Sequence, residues 1–339
     1  MSQHHPANGR RVTPGQLVDN FNRKISYLRL SITDRCNLRC RYCCPAEGIE
    51  QVPHEDILTF EEIRRLVAIL AAYGVKKVRI TGGEPFARKG VLSLLEAMKK
   101  IDGVEQLYLT TNGVLAADHL HALKAAGVAG INLSLDTLDR QRYAQITRRD
   151  RLDDVLRTFH GALALDIGVK INSVVLEDTS DEELIEMVEL GRKRPVDVRF
   201  IEQMPFSGAE IIDHLGRESL LWRLQNLFAD MVELRTDTPT TARLFTRPDF
   251  KGRIGVIEGN SRHFCASCNK VRITSTGMLK TCLYDNGVLD LRALLRSGRD
   301  DEEIGRQIVD AVVRSAPDGH SAEKASRRLS EPSMAAIGG

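Results

Sequence analysis

The strongest constraint on the fold is a repeated order. Six times, a short β-branched apolar stretch is followed by an amphipathic helical one. Residues 25–33, 77–81, 106–111, 130–136, 169–176 and 196–202 carry the strand pattern. The helix after the first strand is announced by Thr59 and Glu62 in capping-box spacing, and Ile63, Leu66, Ile69 and Leu70 then recur at helical period. This order predicts a parallel α/β sheet. Eight such units in ~250 residues close a barrel, so six in roughly 180 predict a partial, open (β/α)6 barrel of the TIM type, with its site at the strand C-terminal ends. A flat doubly wound sheet is the alternative.

After about Pro205 the rhythm changes. Residues 220–228 read as a helix, and 231–235, 242–246, 253–257 and 271–276 as short strands. The expected organisation is an N-terminal arm over 1–24, the barrel over 25–215, a C-terminal α+β domain over 216–315 and a flexible tail over 316–339. With 48 Lys+Arg against 46 Asp+Glu the net charge is +2, which argues against a nucleic-acid or membrane footprint, so any anion site must be local. No apolar run approaches the 18 or so residues of a membrane span, and the N-terminus lacks the apolar stretch of a signal peptide, so a cytoplasmic protein is expected.

Seven cysteines are few for a disulfide scaffold, and their clustering matters more than their number. Cys36, Cys40 and Cys43 stand in C-x3-C-x2-C directly after the first strand, so three thiolates converge from one loop at the barrel mouth. Three ligands leave one metal position open. In a [4Fe–4S] cluster that open iron can bind a small molecule, whereas a structural zinc wants a fourth ligand and this loop offers no histidine. Thr81-Gly82-Gly83-Glu84-Pro85 ends the second strand; its glycines let backbone approach a ligand closely and the Glu84 carboxylate can hold an amine. A second trio, Cys265, Cys268 and Cys282, is spaced C-x2-C-x13-C, and with His263 it could instead form a Cys3His zinc site.

Together, the first trio and the GGEP motif resemble the radical S-adenosylmethionine (SAM) enzymes. The resemblance implies a [4Fe–4S] cluster on Cys36, Cys40 and Cys43 that binds SAM and cleaves it to a 5′-deoxyadenosyl radical. Over most of its length the chain is similar to the GTP 3′,8-cyclase family of molybdenum-cofactor biosynthesis, through LRLSITDRCNLRCRYC, VRITGGEP, LTTNG, INLSLDTLD, VKINSVVL, VRFIEQMP, FCASCNKVRIT, LDLRALLRSG and AAIGG. That likeness implies a second [4Fe–4S] cluster on Cys265, Cys268 and Cys282, contacting the guanine. It implies SAM contacts at Tyr42, Gly82, Gly83, Glu84, Ser134 and Met204, and GTP contacts at Arg29, Arg79, Thr110, Lys170, Lys270 and Arg272. Arg199 and the terminal Gly338 and Gly339 match positions of the catalytic site.

The implied reaction takes hydrogen from C3′ of GTP, joins C3′ to C8 and ends in 3′,8-cyclo-7,8-dihydro-GTP. The family also implies a low-potential electron donor, a homodimer, and a downstream cyclic pyranopterin monophosphate synthase that takes the product. The residue types suit a triphosphate, which Arg and Lys meet with charge-assisted hydrogen bonds. Three departures stand out. Lys270 replaces the usual arginine and loses its planar fork, Cys44 is an extra thiol read as a small core side chain, and the tail has MAAIGG for MSAIGG. The competing readings are a radical-SAM enzyme with another substrate, such as a peptide, and a zinc-stabilised binding protein without turnover.

Overall fold

In the computed structural model, which describes residues 16–204, 219–236, 239–259 and 262–326, the strand–helix alternation builds one twelve-stranded sheet and a small separate ribbon. The ribbon pairs β1 (Leu17–Val18) with β2 (Lys24–Ile25). The six anticipated strands are β3 (Tyr27–Ser31), β4 (Lys77–Thr81), β5 (Gln106–Thr111), β6 (Val128–Ser134), β7 (Gly168–Val175) and β8 (Asp197–Glu202). They lie side by side in chain order and all run parallel. The crossovers are α1 (Phe60–Ala72), α2 (Val91–Lys99), α3 (Leu120–Ala125), the pair α4 (Arg140–Thr147) and α5 (Leu152–Ala164), and α6 (Asp181–Glu189). The capping box at α1 is formed: Glu62 N donates to Thr59 Oγ1 at 3.1 Å, and Thr59 N to Glu62 Oε2 at 2.7 Å.

After β8 come α7 (Leu220–Leu227), β9 (Val232–Leu234), β10 (Arg243–Thr246), β11 (Ile254–Ile257), β12 (Lys270–Ile273), β13 (Met278–Lys280), β14 (Leu289–Asp290), α8 (Leu291–Arg296), α9 (Asp301–Val313) and α10 (Gly319–Ala325). These strands join the barrel's own sheet at both edges. β11 pairs parallel with β8, and β12 parallel with β3. Antiparallel strands then finish each side, β13 and β14 beyond β12, and β10 and β9 beyond β11. The end strands β14 and β9 differ and do not pair, so the barrel is partial and open. β13 and β14 were not anticipated, because three and two residues are too few to show a period.

Alternation along each strand sorts the side chains onto two faces. Leu28, Leu30, Val78, Ile80, Leu107, Leu109, Ile171, Val198 and Phe200 face the helices, where they join Ile63, Leu66, Leu70, Leu95, Phe159 and Leu184 in one core. The opposite face carries Tyr27, Arg29, Lys77, Arg79, Tyr108, Asn132, Lys170 and Arg199, and these line a cavity. A closed TIM barrel fills its interior with branched aliphatic side chains; this interior is polar instead. The outer apolar layer therefore carries most of the stability. Truncating fully buried Phe200 (0% exposed) to alanine is expected to lower stability by roughly 3–5 kcal/mol. In urea titration the midpoint should fall while the slope holds.

Candidate active site

The cavity has a volume of about 500 Å³, and all six clustered cysteines line it. The first trio follows β3 directly. Cys265 and Cys268 lie between β11 and β12, and Cys282 just after β13. Lys270 of β12 stands opposite Tyr27 of parallel β3, so Cys268 enters at the end where β3 begins and Cys36 at the end where it finishes. The two trios thus face each other along the strands, separated by a β3 whose five residues span roughly 16 Å at ~3.3 Å per residue. Among the described residues no group of three His, Cys, Asp or Glu side chains is drawn together to hold a single metal ion. The side chain of His263 lies outside the described residues, as do Gly338 and Gly339.

The first loop is folded tightly. Cys43 N and Cys44 N both donate to Cys40 O, at 2.9 and 3.1 Å. The glycine pair packs its backbone against this loop: a Cβ on Gly83 would sit 2.3 Å from Arg35 O, and one on Gly82 2.7 Å from Thr33 O. Gly83 N donates to Thr33 O (2.7 Å) and Glu84 N to Arg35 O (2.8 Å). The sequence suggested close approach to a ligand; the first demand on these glycines comes from the protein itself, although both also line the cavity.

Glu84 too has partners within the protein. Its side chain is fully buried and its two oxygens accept from Thr111 Oγ1 (2.8 and 3.0 Å), Asn112 N (2.8 Å) and Phe86 N (3.1 Å). It is thereby a clip between the loops after β4 and β5. Asn112 carries the connection onward, donating to Asn37 Oδ1 at 2.7 Å and lying 3.7 Å from Cys36 Sγ. Burial drives the Glu84 carboxyl up to about 7 against the pull of these donors.

Burial also raises the thiols of Cys36 and Cys40, and takes Cys282 to about 11. Buried thiolates of this kind need a cation beside them. Three thiols from one loop, presented to a cavity, fit an iron–sulfur cluster with one open position. The second trio offers the same donors from two loops. Cys44, read as a core thiol, is buried beside them at 8% exposure.

Tyr42 donates its hydroxyl to Asp136 Oδ2 at 3.0 Å, and Val174 N donates to Asp136 Oδ1 at 2.9 Å. Ser134 ends β6, and Met204, just past β8, lies with its sulfur 3.6 Å from the Tyr284 hydroxyl. Tyr42, Ser134 and Met204 all border the cavity.

Between the trios the wall is cationic. Six arginines (Arg23, Arg29, Arg79, Arg199, Arg253, Arg272) and three lysines (Lys77, Lys170, Lys270) line the cavity against three carboxylates, Asp19, Glu202 and Asp318. Register sets Arg272, Arg29 and Arg79 side by side on β12, β3 and β4. Burial and then the Arg272 charge bring Arg29 down to about 9. Arg79 donates to the Tyr27 hydroxyl at 2.5 Å and to Leu109 O at 3.1 Å. Lys170 reaches Asp197 at 3.1 Å, and Arg253 grips the same carboxylate with two bonds of 2.9 and 2.7 Å. Thr110 and Arg199 border the same space.

Sequence reading missed Lys77, Tyr27, Asn112, Arg253 and Asp197. Lys77 lies 4.9 Å from the Tyr27 ring centre and 4.4 Å from that of Tyr108. Burial pushes the Tyr27 phenol up, yet Arg79, Arg29 and Lys77 outweigh it and hold it near 7. Strand period was the available signal: Tyr27 and Lys77 stand two residues before Arg29 and Arg79, on the same face.

A raised carboxyl gives a pH signature. Glu84 binds its proton more tightly folded than unfolded, so its contribution is present below about 4.5 and is lost as pH rises towards 7. Relative to Glu84→Gln, the wild-type protein should therefore lose stability between pH 5 and 7. Denaturant midpoints measured across that range check it; a constant difference would contradict the burial argument.

Comparison with known proteins adds two family models and close relatives. Residues 30–191 match the radical SAM superfamily and residues 196–322 match Molybdenum Cofactor Synthesis C. The chain is 42% identical over 327 residues to a GTP 3′,8-cyclase of Alkaliphilus metalliredigens, covering 95% of this chain and 100% of the relative. It is 40% identical to molybdenum cofactor biosynthesis protein 1 of Dictyostelium discoideum, covering 90% of this chain and 49% of that relative. In fold it is similar to the crystal structure of Streptococcus suis SuiB, with a TM-score of 0.61 at 17% identity over 90% of this chain and 69% of the other.

Proposed function

The chain belongs to the GTP 3′,8-cyclase family, and we propose that its cavity holds SAM and GTP together and cyclises the nucleotide to (8S)-3′,8-cyclo-7,8-dihydroguanosine 5′-triphosphate, an early step of molybdenum cofactor biosynthesis. One observation carries the reading: two thiol trios at opposite ends of a single cavity, with a cationic wall between them. In this reading Cys36, Cys40 and Cys43 hold a [4Fe–4S] cluster beside SAM, and Cys265, Cys268 and Cys282 hold a second beside the guanine. When bound, the first cluster and SAM supply the one-electron chemistry that removes hydrogen from C3′.

The protein's own part is placement. Arg29, Arg79 and Arg272 meet phosphate oxygens with forked, charge-assisted hydrogen bonds, and Lys77 and Lys270 add point charges from the level of Tyr27, two residues earlier along the strands. Lys170, steadied by Asp197, and Thr110 close the other side. Fixing the triphosphate fixes the ribose, and a near-attack geometry is where rate is gained. In this reading Gly82, Gly83, Tyr42 and Ser134 border the SAM end, Met204 meets SAM from the side of Tyr284 and Cys282, and Glu84 completes the SAM set while holding that wall in place. Burial excludes water that would quench reactive species. Arg199, Gly338 and Gly339 complete the catalytic residues of this reading.

The proposed partners are a low-potential electron donor, a second copy of the chain as homodimer, and cyclic pyranopterin monophosphate synthase for the product, with the cytoplasm as the compartment. Among the described residues no helix is long and apolar enough to cross a membrane.

The deciding experiment incubates reconstituted protein anaerobically with GTP, SAM and a strong reductant, and assays 5′-deoxyadenosine and cyclised nucleotide together. Both are expected from the wild type and neither from Cys36→Ala; Cys265→Ala should yield no cyclised nucleotide. 5′-Deoxyadenosine without cyclised GTP from the wild type would reassign the substrate. Arg272→Ala should lower kcat/KM for GTP roughly tenfold to a hundredfold, corresponding to the ~1.5–3 kcal/mol of a hydrogen bond to a charged group. Wild-type kinetics for this variant would remove Arg272 from the GTP site.

A further inference from the structure

The C-x2-C turn of the first trio is gripped by a residue on the helix behind it. α4 ends at Thr147, and Arg148 follows as its C-cap with φ 56° and ψ 24°, in the left-handed region. Glycine or asparagine is the usual occupant there, and a β-carbon is disfavoured. What the arginine gains lies at the end of its side chain. Nη1 of Arg148 donates to Arg39 O at 2.8 Å and to Cys44 O at 3.0 Å. Those carbonyls belong to the residue just before Cys40 and the residue just after Cys43. A single nitrogen thus ties together the two ends of the turn that presents two of the three thiols.

The neighbouring backbone supports the same grip. Arg39 N donates to Thr147 O at 3.0 Å and Arg41 N to Ile146 O at 2.9 Å, so the turn is laced to the end of α4 along its length. Among the described residues the Arg148 guanidinium meets two carbonyl oxygens and forms no ion pair with a carboxylate. Its positive charge lies beside the turn, where the Arg39 guanidinium, donating to Cys36 O, adds a second cation and Glu47 one acidic group.

We propose that Arg148 is a positioning residue for the iron–sulfur cluster of the first trio: its guanidinium locks the Cys40–Cys43 turn, and its charge favours the cluster's reduced form. The inference rests on the proposed cluster at Cys36, Cys40 and Cys43. Cluster potentials follow net charge and the hydrogen bonding around the sulfurs. A nearby cation stabilises the state that carries one more electron. That electron comes from a low-potential one-electron donor, and no covalent bond forms or breaks in the step.

The test uses the full chain, with Cys265→Ala and Cys268→Ala in the background so that only the first cluster is read. Arg148→Gly and Arg148→Lys are reconstituted anaerobically, desalted, assayed for iron and titrated with a low-potential reductant under EPR. Arg148→Gly relieves the left-handed backbone, so its iron-free thermal midpoint should equal or exceed the parent's. Its iron affinity should fall roughly tenfold, as for other lost partners of metal ligands. Its reduced-to-oxidised ratio at a fixed poise should fall about tenfold, equivalent to about 59 mV for one electron. Arg148→Lys keeps the charge and should restore the potential, while losing part of the iron retention.

Parental iron content and potential in Arg148→Gly would overturn the proposal. So would iron loss that tracks a lower iron-free thermal midpoint with the potential unchanged. A parent that takes up no cluster would instead sink the assignment of the first trio, and this inference with it.

Discussion

Three guanidinium groups held at one level by strand register are the constraint around which the molecule is built. Arg272, Arg29 and Arg79 occupy paired positions on β12, β3 and β4 and cannot move apart without breaking the parallel ladder. Like charges this close, taken out of water, repel strongly. Burial first and the Arg272 charge second lower Arg29, and the nearby cations Arg79, Arg29 and Lys77 lower the Tyr27 phenol. The protein offsets that repulsion with an unbroken apolar layer on the outer face of the same strands. A polyanion entering the cavity would relieve the repulsion directly.

The two thiol trios are supported by different parts of the chain. The first is secured by barrel loops, through Gly83 against Arg35, Glu84 to Asn112, and the end of α4. The second is secured from the termini of the described region. Arg23 pairs with Asp19 and donates to Cys265 O, Ala316 O and Pro317 O, joining the segment after β1 to the cysteine loop and the approach to α10. Arg262 stacks 3.6 Å over the Tyr284 ring and pairs with Glu323 of α10 at 2.7 Å. β3 is the common member, carrying the first trio beyond its end and pairing with the strand that follows Cys268.

Much of this was legible beforehand. The strands of 77–81 and 106–111 were placed to the residue, because each has a clean period of two between polar turns. Elsewhere boundaries moved by one to three residues; β6 begins at Val128, earlier than its most apolar run suggested, and β12 ends at Ile273, three residues before the expected 276. The cavity-lining arginines were reached through motif resemblance, whereas Lys77 and Arg253 carry no motif and need the face of the strand to be known. The ligand-holding part read for Glu84 comes from its carboxylate and the GGEP motif; its clip to Thr111 and Asn112 joins residues 27 and 28 apart in the chain, which no local pattern shows.

Local physics accounts for what the amino-acid order determined by itself: the strand–helix rhythm, the cap of α1, the two cysteine spacings and the chemistry those spacings suit. These depend on residues a few positions apart, so a linear chain displays them. Only the tertiary structure decided that β12 lies beside β3 and β11 beside β8, and hence that the two trios share one cavity from opposite ends. The pairing of β12 with β3 joins residues more than two hundred apart and satisfies the backbone groups along that edge of the strand, and no local pattern records it.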